Sequence, residues 1–174
     1  MPAFESPVPL ASEHDVSGFD CGSPSLTDWL REVAPMAQRA GTSRVYVACY
    51  RGSPTVAGYY ALAAASIEPQ DASLRVLRGA GRSPIPAILL ARLGVDAPAQ
   101  GQGLGRALVR DALLRVDQAA DVVGVRALLI HAESSRARDF YLRLAEFEPS
   151  PTDPLHLLLL IKDLRRALAN GGAP

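Results

Sequence analysis

Between Gln100 and Gly105 the chain reads Gln-Gly-Gln-Gly-Leu-Gly, with an apolar run ending at Val95 before it and helical periodicity after it. Strand, glycine loop, helix is an order suited to holding an anion. The first amides of a helix have no intrahelical acceptor, and the helix dipole adds partial positive charge at the same end. Glycines let the main chain turn sharply and approach a pyrophosphate closely. Glycines at 101, 103 and 105, with Ala107 beyond, do not meet the dinucleotide fingerprint G-x-G-x-x-G. A triphosphate loop would need a lysine here, and there is none. The pattern that is met is Q-x-x-G-x-G, on Gln100, Gly103 and Gly105.

The elements that must position this loop follow from periodicity and breakers. Phe4–Leu10 is short and proline-broken, an edge strand or extended lead-in. After the turn Phe19-Asp20-Cys21-Gly22, Ser23 or Ser25 can cap a helix with apolar Leu26, Trp29, Leu30 and Val33. Trp29 is expected as a core anchor. Pro35 would kink or divide that helix, and Gly41 can end it. Arg44–Tyr50 and Thr55–Ala65 are β-rich runs joined by the hairpin signal Arg51-Gly52-Ser53-Pro54. Residues 66–86 form a loop with one helical turn at Ser73–Arg78, carrying Arg75, Arg78 and Arg82. Ala87–Asp96 is a strand, and Leu104–Ala120 a helix with Leu104, Leu108, Ala112 and Val116 on one stripe. Val125–Ala132 is a further strand, and Ser134 can cap a helix over Ser135–Leu144. Pro149, Pro151 and Pro154 are expected to preclude regular structure until a last strand, Leu155–Ile161. A terminal helix covers Lys162–Asn170, and residues 171–174 are expected to fray. This sequence of elements implies a mixed α/β sheet covered by helices.

At 174 residues, 48% hydrophobic and 21% charged, the chain suits one globular domain, 1–174, with residues 1–18 as a lead-in. No segment has the length of a membrane span, and no secretory signal is visible, so cytoplasmic residence is the expectation. Cys21 and Cys49 are widely spaced and have no histidine cluster beside them, which argues against a metal site and a disulfide. The formal net charge is zero and excludes no partner class. Lys162 is the only lysine. Arginine suits bidentate phosphate contacts, although such a bias across a whole chain generally reflects genome composition.

The strand-loop-helix with Gln100–Gly105 resembles the acetyl-coenzyme A signature of the GNAT N-acetyltransferases. The order of elements is similar to that fold, a mixed, mostly antiparallel central sheet splayed at the acetyl-CoA strand and flanked by helices. Phe140-Tyr141 matches the tyrosine that these enzymes commonly place near the end of the penultimate helix. The upstream Asn-x-x-Ala is met at Ala137 but carries Ser134 at its asparagine position. The blocks FDCG…LTDWL, GTSRVYV, GYYALAA, PIPAILLARLGVD, QGQGLG, FYLRL and FEPSPTDPLHLLLLIKDLR, from Phe19 to Arg166, resemble one branch of the family. That branch holds the toxins of bacterial toxin–antitoxin modules that acetylate the α-amine of aminoacyl-tRNA. Leu144-Ala145-Glu146-Phe147 departs from the Leu-Gly-Phe of the wider superfamily.

The resemblance implies direct transfer from acetyl-CoA to an amine, without an acyl-enzyme or a metal. Main chain near Leu93, Gly94 and Val95 would hold the pantetheine arm. Gln100, Gly101, Gln102, Gly103, Leu104, Gly105 and Arg106 would hold the pyrophosphate, with Ser134 and Phe140 as further coenzyme contacts. Tyr141 would protonate or hydrogen-bond the leaving thiolate. No dedicated base stands out. Asp96, His131 and Glu133 lie near strand ends and are expected to be structural or solvent-facing, so a water or main-chain carbonyl would suffice. Arg75, Arg78, Arg82 and Arg92 would contact phosphates of the tRNA. The implied partners are aminoacyl-tRNA, a ribbon-helix-helix antitoxin and a second copy in a homodimer. The alternative is a GNAT enzyme acting on a small-molecule amine or a protein N-terminus.

Overall fold

The computed structural model describes residues 3–170, so the tail at 171–174 lies outside the described residues. The strands are β1 (Val8–Pro9), β2 (Arg44–Cys49), β3 (Val56–Ile67), β4 (Ile85–Val95), β5 (Ala127–His131), β6 (Glu148–Pro149) and β7 (His156–Leu160). The helices are α1 (Pro24–Asp28), α2 (Ala34–Ala40), α3 (Leu74–Leu77), α4 (Leu104–Ala120), α5 (Ser135–Leu142) and α6 (Ile161–Ala169). The seven strands hydrogen-bond in the order β1-β2-β3-β4-β5-β7-β6. β1–β2, β2–β3, β5–β7 and β6–β7 are antiparallel, and β4–β5 is parallel. The parallel register covers only Ala87–Leu90 against Ala127–Ile130. β4 therefore continues from Ala91 to Val95 beyond its register with β5.

The chain forms two compact units. One comprises Met1–Ala63 and Ala91–Asp111, the other Ala64–Leu90 and Ala112–Pro174. In the first, Phe19, Leu30, Val45, Val47 and Tyr59 build the core. Pro35 divides the early helix as expected. A proline has no amide to return to the preceding turn, and a π-helical segment over Trp29–Val33 absorbs the loss, with the Ala34 amide bonding back to the Trp29 carbonyl. Gly41, at φ +74°, ends α2 in the left-handed region. Ser23 stands at the cap position of α1 but makes no side-chain cap bond; Pro24 supplies the start instead. Val33, expected inside, is 40% exposed.

Gly58 is the close-approach point of β3. A Cβ there would lie 2.9 Å from Leu108 Cδ1 and 3.0 Å from Leu104 Cδ2. The absent side chain lets α4 seat its apolar stripe directly on the strand. Leu104, Leu108, Ala112 and Val116 are all buried, as expected, and each fully buried leucine contributes about 1.5–3 kcal/mol.

In the second unit Ile67, Val76, Ile85, Leu129, Leu158 and Leu160 form the core. The loop over 66–86 contains a 3₁₀ turn at Pro69–Asp71 and the single helical turn α3, capped by the Ser73 hydroxyl, which accepts from the Val76 amide. One expectation fails here. Pro149 does not exclude regular structure, because β6 is the sheet's edge, where a missing amide costs no ladder bond.

Candidate active site

In the first unit, the glycine loop is built from its entrance inward. Asp96, buried at the end of β4, accepts from the Asp20 amide at 2.9 Å on Oδ1 and from the Tyr50 hydroxyl at 2.7 Å on Oδ2. The Ala97 amide donates to the Asp20 carbonyl at 2.8 Å. Asp96 is therefore a structural clamp, as expected. Burial first, and then the bond to Asp96, pushes the Tyr50 phenol up to about 12. Gln100 Nε2 donates to the carbonyls of Cys21 and Val95, both at 3.0 Å. Gln102 Nε2 donates to Pro98 O at 2.8 Å. Both side chains thus have their amide groups engaged in holding the loop, and the Val95 carbonyl already has a protein donor; of the main-chain N–H groups expected as coenzyme contacts, that of Gln100 donates to the Ala97 carbonyl at 3.3 Å.

Beyond that clamp the main chain is presented outward. Gly101 and Gly103 sit at φ +75° and +84°, a conformation that side-chain-bearing residues rarely adopt. Nothing lies within 4 Å of a Cβ built on either. The first amide to bond back is that of Ala107, to the Gly103 carbonyl at 3.1 Å. The amides from Gly101 to Arg106 precede it, at the open end of the 17-residue helix α4. This is a fit for a pyrophosphate: main-chain donors at a helix start, a helix dipole and room in front of them. Leu104 is buried, so only its main chain can take part, whereas Arg106 is exposed and Gly105 half-buried.

The residues before the loop have packing roles that the sequence did not reveal. A Cβ on Gly94 would lie 2.9 Å from Tyr59 Cε1 and 3.3 Å from Phe19 Cζ. Its glycine identity is thus explained by aromatic packing. Leu93 is half-buried. Trp29 is also only half-buried. It stacks on Tyr59 at 6.0 Å between ring centroids, and the Arg92 guanidinium lies 5.6 Å from the centre of its ring. Arg92 is exposed, and its Nη1 donates to the Ala91 carbonyl.

In the second unit, Tyr141 lies on α5 with its ring buried, against Phe140 at 5.2 Å and Phe147 at 6.3 Å. Among the described residues its hydroxyl has no hydrogen-bond partner. Burial, with the Glu133 charge adding to it, raises its pKa above the usual phenol range. It is therefore a neutral phenol at physiological pH, able to donate a proton. Ser134 caps α5, its Oγ accepting from the Ala137 amide at 3.1 Å; its own hydroxyl hydrogen is still available to a ligand.

The arginine loop departs from expectation at one residue. Arg75 is not a spare surface cation. Its Nη1 lies 2.6 Å from Glu148 Oε1 and its Nη2 2.8 Å from Asp163 Oδ2, a carboxylate whose side chain is 1% exposed. Arg78 and Arg82 are exposed. Arg126, which the sequence did not single out, donates to the carbonyls of Arg75, Val76 and Arg78. The Ser150 hydroxyl donates to the Asp71 carbonyl at 2.7 Å and Thr152 Oγ1 to Asp71 Oδ1 at 2.5 Å. His131, expected to be structural or solvent-facing, is exposed, and its ring stacks on His156 at 3.9 Å. Among the described residues there is no cluster of three metal-ligating side chains, and no helix is long and apolar enough to cross a membrane.

Residues 14–147 match the model of the acetyltransferase (GNAT) family. The chain is 46% identical over 170 residues to a tRNA-acetylating toxin of Mycobacterium tuberculosis, covering 98% of this chain and 100% of that one. Among solved structures it resembles AtaT complexed with acetyl-methionyl-tRNAfMet, at a TM-score of 0.85 and 27% identity, over 94% of this chain and 98% of that one. It also resembles a tyrosine-to-phenylalanine variant of the AtaT toxin bound to the C-terminus of the antitoxin AtaR, at a TM-score of 0.80 and 28% identity, over 95% and 98%.

Proposed function

The chain belongs to the acetyltransferase (GNAT) family, and from that premise we propose that it is the toxin of a toxin–antitoxin module that acetylates the α-amine of aminoacyl-tRNA. The observation that carries the acceptor is the 46% identity, over the full length of both chains, to a tRNA-acetylating toxin. An acetylated α-amine cannot act as a nucleophile in peptide-bond formation, so translation stops. The work is done in the cytoplasm by a single catalytic domain, with an antitoxin and a second copy of the chain as protein partners.

Acetyl-CoA supplies an activated acyl thioester. The amides of Gly101–Arg106 hold its pyrophosphate, and Leu93–Val95 with Phe140 and the Ser134 hydroxyl line its arm. Tyr141 is the proton donor to the leaving sulfur: its hydroxyl has no partner among the described residues, and its raised pKa keeps the phenol protonated until the thiolate forms. Transfer is direct. Cys49 is buried, and burial raises its thiol pKa, so it is a poor nucleophile. Cys21 Sγ lies at hydrogen-bonding distance from the Ser23 carbonyl and the Thr27 hydroxyl, with no base beside it. Arg78, Arg82 and Arg92 are the exposed cations that take tRNA phosphates; Arg75 keeps its partial exposure for that role while holding Asp163.

The test is to incubate the protein with labelled acetyl-CoA and a mixture of charged and uncharged tRNA, then digest and identify N-acetyl-aminoacyl adenosine. Label confined to charged tRNA is the expected result. Label on small amines or protein N-termini with none on charged tRNA would reject the acceptor.

A further inference from the structure

The second unit holds a cavity of about 250 Å³ lined by none of the residues assigned above to acetyl-CoA or tRNA. Leu89, Leu129 and Leu158 are among its apolar walls, while Glu68, Asp71 and His131 bring charge and titratable nitrogen to it. The topology gives His131 a particular place. Parallel pairing of β4 with β5 ends at Leu90 and Ile130, and His131 is the next residue of β5. On the other side of β5, His131 is directly opposite His156 of β7 in the antiparallel register. Cross-strand partners on one face of a sheet touch, and here the two imidazoles stack at 3.9 Å with 22° between their planes. Both line the cavity.

Two imidazoles this close repel when both are charged, so a charge on one disfavours a charge on the other. Burial lowers the His131 pKa from the usual imidazole range; His156 lowers it further, and Asp153 opposes both. Asp153 Oδ2 lies 3.5 Å from His156 Nε2 and so compensates a charge that reaches the pair. Glu68 and Asp71 line the cavity together with His131, and His156 and Asp153 act on the charge of His131. Two carboxylates attract a cation to this cavity, and a neutral imidazole inside it can take a proton from that cation.

We propose that His131 is the proton acceptor for the attacking α-ammonium group, a role that rests on the reading of the chain as an α-amine N-acetyltransferase. An α-ammonium, with an ordinary pKa near 8, cannot attack until it loses a proton. His131 takes that proton. The freed nitrogen lone pair forms the C–N bond to the acetyl carbon, and the C–S bond breaks. The second proton lost by nitrogen is delivered to sulfur as Tyr141 protonates the thiolate and is itself reprotonated. The proton on His131 leaves to water. The balance is one ammonium and one thioester giving one amide, one thiol and one proton in solution.

Single-turnover acetyl transfer by the full chain tests this, on charged tRNA and separately on an amino-acid methyl ester as the minimal α-amine. His131→Asn should slow transfer by roughly 100-fold at about pH 6, the ordinary scale for removing a general base, with acetyl-CoA affinity unchanged. The deficit should shrink at least tenfold by about pH 9, where water deprotonates the amine unaided. His156→Asn leaves the acceptor but removes the neighbour that lowers its pKa, so the acid limb of the rate profile should move to higher pH. A His131→Asn enzyme as fast as wild type, or equally slow at every pH, overturns the proposal. So does an unmoved acid limb in His156→Asn, a readout that stands even if His131→Asn does not fold. Transfer to the ester but not to charged tRNA would reject the tRNA acceptor and leave the role of His131 intact.

Discussion

Arg75 lies 2.8 Å from Asp163, so a loop arginine that the sequence offers to RNA is the partner of a buried carboxylate. Asp163 sits in the first turn of α6 and keeps Arg166 Nη1 at 3.5 Å from its other oxygen. Removing one partner of a buried pair leaves a charge uncompensated. Arg75→Ala should lower the melting temperature by roughly 5–10 °C, and adding Asp163→Asn should recover part of that loss. Thermal melts of the two variants decide it; an unchanged midpoint in Arg75→Ala would remove the structural role.

Arg78 and Arg82 should behave in the opposite way. Replacing both by alanine should leave the melt unchanged and weaken binding of a labelled acceptor-stem RNA. The log–log salt slope should become shallower by roughly 0.7–0.9 for each phosphate that is no longer neutralised. An unaltered slope would make these two arginines a solvated face.

Tyr141→Phe removes a hydroxyl that has no partner among the described residues. Stability should therefore change little, while transfer falls about a hundredfold, the scale of one general acid. Parallel melting and single-turnover measurements separate the two effects, and wild-type speed would reduce Tyr141 to packing.

Gly103→Glu places a side chain at φ +84° and a negative charge among the amides proposed to hold the pyrophosphate. Calorimetry should show acetyl-CoA affinity falling at least tenfold, with the clamp at Asp96 preserving the fold. Normal binding by the folded variant would remove the loop from the coenzyme site.

Tyr50 sets an alkaline limit. Its folded pKa, about 12, is above the ordinary value of 10, so the folded state holds this proton more tightly than the unfolded state does. The associated stability is fully present below pH 10 and is lost as pH rises through 12. Melting temperatures across that window should fall more steeply for wild type than for Tyr50→Phe.

The sequence exposed what depends on neighbours along the chain. The glycine loop, the α4 stripe, the division of the early helix at Pro35 and the cap at Ser134 are all local patterns, and each is found where the pattern puts it. Partners across long separations were not legible. Asp20, Tyr50 and Asp96 meet only after three elements have folded, so the FDCG block carried family resemblance without a physical role. The same holds for Ser150 and Thr152, which lock Asp71, and for His131, whose partner His156 is set by strand register. Pro149 misled because a proline is incompatible with a central strand and harmless at an edge, and which strand is the edge depends on the whole sheet.

Apart from the local cap at Ser73, the side chains that hold the arginine loop come from later in the chain: Arg126, then Glu148, Ser150, Thr152 and finally Asp163. A chain made from its N-terminus at about 5–20 residues per second exposes Arg78 and Arg82 seconds before the groups that fix them exist. Vectorial synthesis therefore imposes an order: the glycine loop can be laid down early, and the arginine loop acquires its shape only when the last strand pair is complete.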